Sequence, residues 1–167
     1  MRDPLPEAAA RGGLAAAPLL IGVGHEGRRD DAAGVYAARL VRALLWPRAR
    51  MVECGGDTTA LIEAWQGEPA VLVVDAMSSG APAGTVQRLD AARGPLGAVF
   101  SRGSTHGLGL AEAVELARLL GQLPASFVIY GIEGEDFGLG TRLSHAVECA
   151  VREAALRISE ELLAARN

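Results

Sequence analysis

The chain has no lysine: all 16 of its basic residues are arginine. Against 20 acids they leave a formal net charge of −4, which provides no basic footprint for nucleic acid. We read the arginine-only usage as compositional bias. Cysteine is nearly absent too. Cys54 and Cys149 lie far apart, without a C-x-x-C spacing, which excludes a disulfide framework and fits a reducing, cytoplasmic setting. Both read as small packing residues. Only 4% of residues are aromatic while half are apolar, so the core must be aliphatic. No apolar run approaches the roughly 20 residues of a membrane span. Arg11 followed by Leu14 to Val23 has the outline of a signal peptide, but Asp3 and Glu7 sit in the part that should be basic. Cleavage there would also remove the first strand. There is no HExxH, no i, i+4 histidine pair, no G-x-S-x-G elbow and no internal repeat.

What is present is organised around Leu19 to Gly34, LLIGVGHEGRRDDAAG. Large apolar residues run into glycines at Gly22, Gly24 and Gly27. Two carboxylates follow, Asp30 and Asp31, and then a helical apolar pattern at Val35, Tyr36, Leu40 and Val41. Gly22 to Gly27 matches the G-x-G-x-x-G dinucleotide fingerprint, with Glu53 downstream as a ribose-binding acid. In that fingerprint, however, the third glycine already lies in the helix that receives the pyrophosphate. Here Gly27 is followed by Arg28, Arg29 and the two aspartates, so the helix is expected to start at the aspartates, with Asp30 or Asp31 as its N-cap. Two carboxylates would repel a pyrophosphate and suit a cation.

Residues 1–17 are expected to be a disordered leader and 18–167 a single domain. The pattern predicts strands over 18–23, 49–54, 70–74 and 126–132, and helices over 31–45, Asp57 or Thr58 to Trp65, 108–120 and from Ser144 onwards. Ala70 to Val74 is a continuous β-branched run, as in a strand buried on both faces. Thr85 to Leu89 alternates weakly and reads as an antiparallel edge strand. Strands alternating with helices give an α/β three-layer sandwich: a mostly parallel central sheet of about five strands, with helices on both faces.

In such sheets ligands bind beyond the carboxyl ends of the strands. That rule selects Asp31 after the first strand, Asp75 at the end of the third, and His106 in the loop entering the following helix. Taken singly, Asp75 could cap a turn, one of Asp30 and Asp31 could cap the helix, and His106 could bond to backbone. Together, two carboxylates and an imidazole suit a divalent transition metal with positions left open. A triad of Ser101 or Ser104 with His106 and Asp75 lacks its elbow motif. His25 shares the turn of Asp31 and could face the same ligand. His145 reads as a first-turn helix residue.

These residues resemble the hydrogenase maturation endopeptidases. That family opens with G-[IV]-G-N-x(4)-[DE]-[DE]-x-x-G, which Gly22-Val23-Gly24, Asp30-Asp31 and Gly34 follow in order and spacing. Asp75-Ala76 resembles the end of its third strand. Ser104 to Leu110 resembles its S-x-H-x-x-G-L segment, and Tyr130 to Gly134 its last strand and acidic loop. The likeness runs from about residue 18 to 160. It implies a peptidase-like domain that cuts the C-terminal extension from a nickel-loaded hydrogenase large-subunit precursor. The nickel would be supplied by the substrate, with no permanently bound cofactor and no nucleic-acid or membrane partner. The family's metal positions fall on Asp31, Asp75 and His106, with Asp31 or Asp75 as the catalytic base. Three departures bear on substrate choice or activity: His25 replaces the motif's Asn, Arg28-Arg29 replaces apolar residues, and Cys54 replaces an Asp. A non-catalytic metal- or partner-binding paralogue and a nucleotide-binding module are the alternative readings.

Overall fold

The computed structural model describes residues 17–45, 50–96 and 107–165. Five strands form one sheet: β1 (Leu19–Val23), β2 (Arg50–Cys54), β3 (Ala70–Met77), β4 (Val86–Asp90) and β5 (Ser126–Glu133). Their order is β2-β1-β3-β5-β4, parallel throughout except β4, which runs antiparallel along β5 at the edge. The α/β sandwich and its antiparallel edge strand are as the sequence predicts. β3 and β5 run further than their apolar runs suggest, carrying Asp75 and Glu133 inside the ladder, where Asp75 pairs with Gly131 and Glu133 with Met77.

Alternation along the central strands splits the core in two. Leu20, Leu72, Val74, Val128, Tyr130 and Ile132 face α1 (Ala33–Leu45) and α4 (His145–Ala164). Ile21, Val23, Val71, Val73, Met77, Phe127 and Ile129 face α2 (Thr58–Trp65) and α3 (Gly107–Leu119). The second layer is anchored by Trp65, whose ring meets Phe127 edge-on with centroids 4.8 Å apart. Period two places Asp75 on this second face, in line with Val71, Val73 and Met77.

Local chemistry sets some helix starts and not others. Asp57 caps α2 as expected, its Oδ1 accepting from the Ala60 N–H at 2.9 Å. Ser144 holds the N-cap position of α4, but its hydroxyl makes no capping bond. His145 is the first residue of that helix. Cys149 lies exposed on α4, so the packing role expected of it is not what it has; Cys54 is half-buried against the second layer. No described helix is long and apolar enough to cross a membrane. The leader expected over 1–17 lies, apart from its last residue, outside the described residues.

Candidate active site

β1, β3 and β5 all end at one rim, and two turns there are built into each other. Gly24 has φ +140°, and a Cβ on it would collide with the carbonyl oxygen of Asp31. Only glycine allows the returning chain that close. Several amides of this turn are consumed internally. Arg28 N–H donates to the His25 carbonyl at 3.1 Å, Arg29 to Gly140 at 2.8 Å, Asp30 to Asp136 at 3.0 Å and Asp31 to Arg28 at 3.0 Å. These four are not available to a pyrophosphate, and Gly27 sits in a turn ahead of any helix. The dinucleotide fingerprint therefore has the spacing without the structure.

Neither aspartate caps α1. A short 3-10 turn, Arg29–Ala32, leads into the helix with no side-chain cap. Asp30 is buried and braces the facing loop instead. Its Oδ1 accepts from the Ser144 amide at 2.7 Å, and its Oδ2 from the Glu135 and Asp136 amides at 2.9 Å each. Burial opposes its charge, but these donors outweigh it and hold the carboxyl below the usual range. Arg29 adds to the brace from a left-handed conformation (φ 44°), donating to the Leu139 carbonyl at 3.1 Å and to Asp136 Oδ2 at 2.7 Å. Thus Arg28-Arg29, unexplained by sequence, forms part of the joint between the β1–α1 turn and the β5–α4 loop.

Asp31 is spared that work. It is buried, and its Oδ2 accepts from the His25 amide at 2.9 Å, with His25 Nδ1 at 3.3 Å from the same oxygen. Asp75 is buried as well, and its Oδ2 has no hydrogen-bond partner among the described residues. Burial, then the nearby charge of Asp31, pushes the Asp75 carboxyl up to about 8, with the Ala76 amide pulling the other way. The two acids thus feel each other at one rim. A buried carboxylate oxygen with nothing to bond is costly unless a proton or a cation takes it. The donor set accordingly fits a divalent metal.

His106, the third expected ligand, lies outside the described residues, as do Ser101 and Ser104. Among the described residues no group of three His, Cys, Asp or Glu is placed to hold a metal ion. The helix that follows His106, α3, packs on the face to which Asp75 belongs. One further acid escaped sequence reasoning. Glu133 is buried at the end of β5 and accepts from the Ser79 and Gly80 amides at 2.8 and 2.9 Å and from the Ser79 hydroxyl at 2.8 Å. It holds the β3–β4 turn just beyond Asp75. An acid closing an apolar run was the signal, as it was for Asp75.

The mostly parallel sheet of this α/β sandwich gathers two buried acids at its rim, Asp31 and Asp75. The chain belongs to the hydrogenase maturation protease family, whose model matches residues 36–161. It is a hydrolase of the endopeptidase kind. The hydrogenase expression/formation protein HoxM of Cupriavidus necator is 30% identical over 144 residues, spanning 82% of this chain and 71% of that protein. Among solved structures, the hydrogenase maturating endopeptidase HybD from Escherichia coli is 26% identical with a TM-score of 0.71, covering 86% of this chain and 90% of that one. The nickel–iron hydrogenase maturation protease HybD from Thermococcus kodakarensis is also 26% identical, with a TM-score of 0.66, over 86% of this chain and 97% of that one.

Proposed function

We propose that this protein removes the C-terminal extension of a nickel–iron hydrogenase large-subunit precursor once nickel has been inserted. The observation that carries the reading is the buried pair of Asp31 and Asp75, with Asp75 Oδ2 unpartnered among the described residues. Asp31, Asp75 and His106 take the substrate's nickel, so an empty precursor lacks the ligand that seats its scissile bond. Proteolysis then acts as a checkpoint on metal insertion. The nickel arrives with the substrate and polarises the scissile carbonyl. One carboxylate of the Asp31–Asp75 pair takes a proton from the attacking water. The precursor is the partner, and the two free cysteines suit the cytoplasm as the setting.

The test is to incubate nickel-loaded and nickel-free precursor with the wild type and with Asp31→Ala, Asp75→Ala and His106→Ala, reading the cleaved mass by mass spectrometry. The wild type should cut only the loaded precursor, and each variant should lose at least about a hundredfold in rate. Equal cleavage of both precursors, or full activity in all three variants, would refute it.

A further inference from the structure

His25 occupies the turn between Gly24 and the 3-10 segment, and both of its hydrogen-bonding ends on the Asp31 side reach one atom. The backbone N–H lies 2.9 Å from Asp31 Oδ2, and the ring Nδ1 lies 3.3 Å from the same oxygen. No other hydrogen bond reaches the Asp31 carboxylate among the described residues. The ring is also held from behind. It lies so close to Gly55 that a Cβ there would sit 3.0 Å from Nε2 and 3.2 Å from Cε1. The Gly55 turn is itself tied to β1, since the Gly24 amide donates to the Cys54 carbonyl at 3.0 Å. The imidazole, half exposed to solvent, therefore touches a backbone wall on one side and a buried acid on another.

We propose that His25 is a positioning residue: its ring Nδ1, 3.3 Å from Oδ2 of Asp31, joins the backbone N–H in engaging that oxygen and leaves Oδ1 as the oxygen offered to the metal. A carboxylate with one oxygen engaged in this way binds a cation through the other, from a fixed rotamer. A carboxylate without that hold is free to rotate or to chelate through both oxygens, and the ordering cost falls on binding. This inference rests on the reading of Asp31 and Asp75 as metal-binding acids. It adds a residue of this chain, at a place where the motif it resembles has Asn. Asn is also the side chain whose Nδ2 best takes the place of an imidazole Nδ1 as donor.

The experiment titrates the purified protein with cadmium chloride by calorimetry at pH 7.5, comparing wild type, His25→Asn and His25→Ala, with Asp75→Asn as the site control. Thermal melts without metal accompany each. Wild type and His25→Asn should bind within about threefold of each other, while His25→Ala should bind ten- to a hundredfold more weakly, the range for loss of a group that orients a metal ligand. Should His25→Ala fail to fold, His25→Gln replaces it, since its longer arm carries the amide past Oδ2. Alanine binding as tightly as wild type would overturn the inference. So would Asn binding as weakly as Ala, because ring packing against Gly55 would then be the whole effect. If cadmium does not bind the wild type, or binds Asp75→Asn equally well, the reading of the site itself fails and the inference falls with it.

Discussion

The Ser144 amide donates to Asp30 Oδ1 at 2.7 Å, joining two turns that are 114 residues apart in the chain. With the Glu135 and Asp136 amides on Oδ2, Asp30 accepts three backbone bonds from a single loop. Adjacent aspartates have thus divided the labour: Asp30 fixes the rim, which leaves Asp31 outside that brace for the proposed metal site.

Asp30→Asn is the sharp test of that division. It keeps the volume but turns one acceptor oxygen into an amide that faces backbone N–H groups. At least one buried donor then loses its partner and meets another donor. The expected cost is about 2–4 kcal/mol in a urea melt, with faster proteolysis in the 134–144 loop. A change under about 0.5 kcal/mol would show that the loop is held elsewhere.

Gly34 seats α1 on the sheet. A Cβ there would collide with the Val23 and Val74 carbonyls and stand 2.9 Å from the Asp75 Cα. These are backbone atoms of β1 and β3, which cannot rotate aside. Gly34→Ala should therefore cost more than about 3 kcal/mol or abolish soluble expression. Gly27→Ala is the control, because its Cβ would meet nothing within 4 Å. It should stay within about 0.5 kcal/mol of wild type. Comparable melts for the two variants would mean that α1 does not need the close approach.

What the sequence made legible was what depends on near neighbours or on period. The apolar run at Val71 to Val74 marked the central strand, weak alternation marked the antiparallel edge, and Asp57 capped the helix three residues ahead of its donor. The pairing of Asp31 with Asp75 was legible as well, because strand order brings the carboxyl ends of β1 and β3 side by side. The Asp30 brace was not. Its donors lie more than a hundred residues away, and no local pattern distinguishes an acid bonded to distant amides from one capping its own helix. Glu133 was misplaced for the same reason. The apolar pattern ends the strand at residue 132, yet the strand runs through Glu133, whose carboxylate finds its donors at Ser79 and Gly80.

Asp75 should make the metal-free protein sensitive to alkali. In the fold its carboxyl is pushed up to about 8 by burial and by Asp31. In the unfolded chain an aspartate ionises near 3.9. Between those values the folded state holds a proton that the unfolded state has lost. Stability must therefore fall as pH rises across that window, reaching its full cost above about pH 8 and vanishing below about pH 4. Asp75→Asn cannot ionise, so its own contribution is flat with pH. Measured by urea unfolding in the presence of a chelator, wild type should lose a few kcal/mol more than Asp75→Asn between pH 5 and pH 8.5. At the upper pH the variant should be the more stable of the two, although an amide in that pocket still leaves a polar atom unpaired at about 1–3 kcal/mol. Parallel pH profiles for the two proteins would mean that Asp75 ionises freely in the fold, and the buried acid pair on which the cation reading depends would have to be given up.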